Sequence, residues 1–176
     1  MGGEQHGNME AVGYDMYLKM LADAVNEQNG VEVQEDVNCT VDLNVSAHIP
    51  EGYIPALPAR LGIYRRIADI RDEGDMTDVI DELCDRFGEP PKAVMGLINI
   101  ALVRSKASCV GITEIVGTQG TVILRAAKID MEIVGKLTNE FNSAFRVSAV
   151  GDPAYVVKLL NGLKTADVIA RLAKIL

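Results

Sequence analysis

The stretch "CVGITEIVGTQGTVILRAA", Cys109 to Ala127, decides the fold class. It holds two short β-rich runs, about Ile112–Val116 and Thr121–Arg125, joined by a glycine-rich turn. Three helical segments stand before it. Ala56 to Arg71 carries Leu57, Leu61, Tyr64, Ile67 and Ile70 at helical spacing, with "RIADIRDEG" ending at Gly74. Asp75 to Phe87 is the second, and Pro91 to about Ala107 the third, with proline in its first turn and Val94, Leu97, Ile98, Ala101 and Leu102 inward. After the hairpin, Lys128 to Asn142 reads as a helix with Ile129, Ile133, Leu137 and Phe141 on one side. "FRVSAVGDPAYVVKLL" suggests a second hairpin about Gly151-Asp152, and Thr165 to Leu176 a closing amphipathic helix capped by Thr165. Such a distribution predicts an α+β fold, helices packed with small mixed or antiparallel sheets.

Upstream, Met9 to Gln28 has helical spacing closed by Asn29-Gly30. From Val31 to Ala47 apolar residues alternate with mostly polar ones, the period of a half-buried strand, bent near Glu35-Asp36. "HIPEGYIPALP" then places Pro50, Pro55 and Pro58 in an extended connector. The chain divides into a leading segment 1–30 and a domain 31–176, itself subdivided near residue 110.

At 176 residues, 48% hydrophobic and 24% charged, the chain can bury a core. Its net charge of −8 gains nothing from phosphate counterion release, which argues against unaided nucleic-acid binding and favours basic partners. Cys39, Cys84 and Cys109 are far apart. Cys39 and Cys84 fall at apolar-periodic positions, so buried free thiols in a reducing compartment are expected. No apolar run reaches transmembrane length and the start is no signal peptide, so a cytoplasmic, soluble, monomeric protein without membrane contact is the expectation.

"GTQGT" (Gly117 to Thr121) and "NGLKT" (Asn161 to Thr165) resemble phosphate loops only superficially; the first lacks a following helix and the second the required spacing, so both read as turns. His6 and His48 lack partners at metal-ligand spacing. "YRR" (Tyr64 to Arg66) is too small for a nucleic-acid footprint and reads as a solvated face, with Tyr64 continuing the apolar stripe.

The charge-bearing feature is "DEGDMTDVIDELCD", Asp72 to Asp85, with seven carboxylates and no Lys or Arg. With Asp75 as N-cap and Asp78 in capping-box position, a helix places Met76, Val79, Ile80, Leu83, Cys84 and Phe87 on one side. Asp78, Asp81, Glu82 and Asp85 fall on the other. Their like-charged neighbours three and four residues apart cost about a few tenths of a kcal/mol each, and Arg86 offsets only part of this. A divalent cation needs ligands converging on a point, whereas one helix face spreads them along a line. Acid–base catalysis needs a carboxyl in an apolar pocket, which nothing here suggests. On charge pattern alone a solvated face is the plainer reading, and docking of a basic partner the best functional one.

Two stretches carry a resemblance. "GGEQHGNMEAVGYDMYLKML" (Gly2 to Leu21) resembles the end of the translocation motif of helicase-like DNA translocases, with Gly3, Gln5 and Gly7 matching it. "IPEGYIPALPARLGIYRRIADI" (Ile49 to Ile70), followed by "ELCDRFGEPPKAVMGLINIALVR" (Glu82 to Arg104), resembles the C-terminal domain of bacterial transcription-repair coupling factors. The shared run is Y-I-P, R-L-x-x-Y-[KR]-R-I, then E-L-x-D-R-F-G-x-x-P. The resemblance implies a non-catalytic regulatory part of a larger ATP-driven DNA translocase that displaces stalled RNA polymerase and recruits nucleotide excision repair. It implies docking on the parent's N-terminal repair-helicase-like module, with double-stranded DNA and the damage-recognition protein as partners of the parent. ATP and Mg would belong to the parent, and no cofactor to this chain. In the motif the acidic positions are docking contacts and fall on Glu82 and Asp85; Asp78 and Asp81 extend the same helical arc. Leu83 and Phe87 are expected in the core. The alternative is an independent small cytosolic enzyme, or an interaction module with an acidic docking face.

Overall fold

The computed structural model describes residues 39–148 and 152–176. The expected N-terminal helix, the strand before Cys39, Gly3, Gln5, Gly7, His6 and the turn residue Gly151 lie outside the described residues.

The centre of the fold is α3, Lys92–Cys109. Between Val94 and Val103 its only polar side chain is Asn99, and Val94, Leu97, Ile98, Ile100, Ala101, Leu102 and Val103 are all buried. A helix that is apolar nearly all round must be covered on every side. On one side it meets α1, Leu57–Ala68, and α2, Glu73–Phe87; on the other it meets the sheet and the last helix, α5, Thr165–Ile175. A further helix, α4, Met131–Phe141, packs on the sheet's far strand and on α5.

The sheet has five strands in the order β1-β2-β3-β5-β4, namely Thr40–Asp42, Ile112–Gly117, Thr121–Ala126, Ala154–Lys158 and Phe145–Ser148. Among the described strands only β1 and β2 run parallel. Val41, Ile115, Leu124 and Tyr155 stand opposite one another across four strands and are all buried. This row is the floor of the core. Neighbouring residues point to the other face, where Glu114 and its cross-strand partner Arg125 pair at 2.6 Å. The α+β class is as expected, and among the described residues the strands form a single mixed sheet in place of several.

Boundaries differ from the sequence expectation in places with identifiable causes. Within the described residues the alternating run ladders only over Thr40–Asp42, because β1 is an edge strand with one partner and the Val45 amide turns back to the Leu43 carbonyl at 2.9 Å. Helix α1 stops at Ala68, short of the expected end at Arg71, and Ile70 is buried as connector. The N-cap of α4 is Asp130, whose carboxylate accepts the Glu132 amide at 2.7 Å. At α5 the cap position falls on Lys164, whose amide donates to the Asp167 carboxylate at 3.0 Å; Thr165 is the first helical residue. The "GTQGT" stretch is the β2–β3 turn, closed by the Thr118 amide on the Thr121 carbonyl at 2.8 Å. Phe145–Ser148 and Ala154–Lys158 pair antiparallel, as a hairpin requires.

Leu83, wholly buried on α2, and Asp81 one turn-face away should separate core from surface. Leu83→Ala should destabilise the chain by about 2–5 kcal/mol, and Asp81→Ala by no more than about 0.5 kcal/mol, measured by denaturant unfolding.

Candidate docking face

The seven carboxylates of Asp72–Asp85 divide into two groups once their partners are traced. Asp72 is the N-cap of α2: its Oδ1 accepts the amides of Gly74 at 2.8 Å and Asp75 at 3.0 Å. This corrects the expected cap at Asp75, and Asp78 has no capping-box role. Both aspartates suit a cap chemically, and the earlier one wins because Asp75 Oδ2 is used by the Arg71 amide at 2.9 Å, fixing the α1–α2 connector. Glu73 pairs with Lys106 Nζ of α3 at 2.8 Å, and the same ammonium donates to the Ala173 carbonyl of α5 at 2.8 Å.

Glu82 is the best-partnered of the four candidate docking residues. Arg66 Nε of α1 lies 3.3 Å from its Oε2, and Arg86, one turn on, holds its Oε1. Its side chain is 27% exposed, while those of Arg66 and Arg86 are half exposed at 55% and 50%. Asp78, Asp81 and Asp85 are exposed and make no ion pair among the described residues. The structure therefore places all four on one helix, with Glu82 bridged inward and three aspartates facing solvent.

The opposite side of α2 is apolar. Val79 and Leu83 are buried, and Met76, Ile80 and Phe87 pack against the core half-buried. Cys84 is exposed, which corrects the expectation of a buried thiol; Cys39 is buried and Cys109 exposed. Cys84 follows Leu83 by about 100° of helix rotation, at the edge of the apolar stripe.

The motif residues form one connected clasp around this helix. Gly88 ends α2 at φ 84° and ψ −174°, a region essentially reserved for glycine. The Tyr53 hydroxyl donates to the Gly88 carbonyl at 2.7 Å, and the Tyr53 ring meets Phe87 edge-on at 6.1 Å. Arg86 lies over the Phe87 ring at 4.8 Å. Burial, and secondarily the neighbouring Cys84 thiol, push the Tyr53 phenol above its ordinary value. In the connector, Arg60 donates to the Ile54 carbonyl at 3.2 Å and pairs with Glu51 at 3.1 Å. The Tyr64 hydroxyl accepts the buried Ile49 amide at 2.8 Å. Arg66 and Tyr53 are the partners of Glu82 and Phe87 that charge counting overlooked. Their signal was present, since both lie in the same short motif run as Glu82 and Phe87.

Among the described residues no group of three or more His, Cys, Asp or Glu is placed to hold a metal ion. His48 is exposed. A shallow groove of about 510 Å³ lies between Asn44, Gly117, Thr118, Gln119, Leu159 and Thr165, with no titratable side chain in its lining.

Fold and surface together define a small α+β domain that, within the described residues, presents three exposed aspartates without ion pairs on one helix. The TRCF domain family model matches residues 43–134. Transcription-repair-coupling factor of Staphylococcus aureus (strain USA300) is 33% identical over 155 residues, 84% of this chain and 13% of that protein. The protein of the same name from Staphylococcus haemolyticus (strain JCSC1435) is 31% identical over 144 residues, 81% of this chain and 12% of that protein. A crystal structure of the C-terminal domain of transcription-repair coupling factor superposes with a TM-score of 0.68 at 21% identity, covering 78% of this chain and 89% of that one. The chain belongs to the TRCF domain family, and spans about an eighth of the length of these full-length relatives.

The clasp predicts separable costs. Gly88→Ala should destabilise by about 1–3 kcal/mol through backbone strain alone, since its Cβ would meet nothing. Tyr53→Phe should cost about 0.5–1.5 kcal/mol for the lost hydrogen bond. Both are read by urea or thermal unfolding.

Proposed function

We propose that this chain is the non-catalytic, regulatory C-terminal part of an ATP-driven DNA translocase of the transcription-repair coupling kind. In this reading the parent binds ATP and Mg, moves on double-stranded DNA, displaces stalled RNA polymerase and recruits excision repair in the cytoplasm. The chain docks through α2 on a basic surface of the parent's N-terminal repair-helicase-like module and restrains its ATPase activity and DNA binding. Family membership and the motif run from Tyr53 to Gly88 support the parentage.

The observation that carries the docking reading is the exposed row Asp78, Asp81 and Asp85, presented on a helix anchored by its apolar side and by the Tyr53–Gly88 clasp. Rigid presentation matters because ordering a charged surface at the moment of contact would consume much of a weak electrostatic gain. Glu82 contributes to the same face but has two arginines already.

In the full-length parent, Asp81→Lys with Asp85→Lys should raise basal ATPase and DNA binding by roughly 2- to 30-fold, as expected for two surface ion pairs of about 0.2–1 kcal/mol each. Steady-state ATP hydrolysis and DNA titration are the measurements, and unchanged values would remove these residues from the mechanism. Glu82→Lys is a poorer test, since it would set a third cation against Arg66 and Arg86.

A further inference from the structure

Resting on the docking reading, we propose that Arg66 is an internal competitor for Glu82: a positioning residue that holds this carboxylate against the domain until a basic group of the partner displaces it. Glu82 has one oxygen on each of two guanidinium groups, Oε2 on Arg66 and Oε1 on Arg86. The two arginines are not equivalent. Arg86 is four residues from Glu82 on the same helix and is also stacked over Phe87, so it stays in place when the pairing changes. Arg66 reaches across from α1, sixteen residues away in sequence, is 55% exposed, and has Glu82 as its side-chain partner.

An exposed ion pair of this kind is worth little, and a second cation of similar geometry can replace one member at small cost. The partner group that fits is an arginine, because the carboxylate oxygen released by Arg66 lies beside a second oxygen already bound, and a planar fork can share both. Asp78, Asp81 and Asp85 have no such internal rival among the described residues, so they meet the partner first and Glu82 exchanges afterwards. Arg66 thereby lowers the affinity of the face and keeps the docked state releasable.

The sign of the effect separates this from a purely structural role. In the full-length parent, the salt concentration that half-releases ATPase restraint reports docking strength. Arg66→Gln should shift it upward, with a closed-to-open ratio raised by about 1.5- to 5-fold. Glu82→Gln should shift it downward, Arg66→Lys should fall between wild type and Arg66→Gln, and the double variant Arg66→Gln/Glu82→Gln should match Glu82→Gln. If Arg66→Gln and Glu82→Gln both shift the midpoint downward, the pair is only a pin between α1 and α2 and the competitor assignment is overturned. An unchanged midpoint in Arg66→Gln overturns it as well, while the docking reading stands if Asp81→Asn/Asp85→Asn lowers the midpoint. If that aspartate pair changes nothing, the docking reading itself fails and the competitor role goes with it.

Discussion

The burial of α3 is the constraint on which the rest of the molecule depends. A helix with one polar side chain in ten central positions can show little of itself to water, so β1, β2, α1, α2 and α5 are recruited to cover it. The sheet covers one side through Val41 and Ile115, α5 another, and α1 and α2 the remainder. Helix α2 owes its position to this demand: Val79 and Leu83 are its buried contribution to the core, and Asp78, Asp81 and Asp85 are left outward with no ion pair among the described residues. Lys106 ties the arrangement together from α3 itself, joining Glu73 at the start of α2 to the Ala173 carbonyl at the end of α5.

Relative magnitudes explain why the acidic face survives folding. Each like-charged neighbour on α2 costs about a few tenths of a kcal/mol, whereas the single side chain of Leu83 contributes about 2–5 kcal/mol. Glu82 further reduces the repulsion, since its two arginines weaken its conflict with both Asp78 and Asp85. The remaining conflict is Asp81 with Asp78 and Asp85. Packing dominates, and the charge pattern is left open to selection by something outside the core.

Most of the fold was legible because its periodicities are strong. The buried faces of α2 to α5, and Tyr64 and Ile67 of α1, follow from apolar spacing, and the β2–β3 and β4–β5 pairs from short β-rich runs with turn signals between them; Leu57, expected in the α1 stripe, is exposed at the start of that helix. What escaped has local causes. Two aspartates three residues apart, Asp72 and Asp75, are equally good caps by chemistry, and only the Arg71 amide on Asp75 decides between them. Cys84 sits at the margin of the apolar stripe, where periodicity cannot tell packed from exposed. The alternation continues past Asp42, but a ladder needs a partner strand, and β1 has one only over three residues. Of Glu82's two arginines, Arg86 is visible as a helical neighbour; Arg66 is visible only once α1 and α2 are placed side by side.

That last pairing changes what the motif E-L-x-D-R-F-G means physically. Read as a string, its glutamate and aspartate are alike, two negative charges on one face. In the structure Leu83, Phe87 and Gly88 hold α2 in place, through burial, ring packing on Tyr53 and a glycine-only backbone turn, while Arg86 pairs with Glu82 along the helix itself. Glu82 belongs with these residues by geometry and with Asp85 by charge. Asp85 is the one charged member of the motif whose side chain makes no ion pair or hydrogen bond among the described residues. A position with no ion pair or side-chain hydrogen bond of its own, carried on a helix that Leu83, Phe87 and Gly88 anchor, is the place to look for what an outside partner touches.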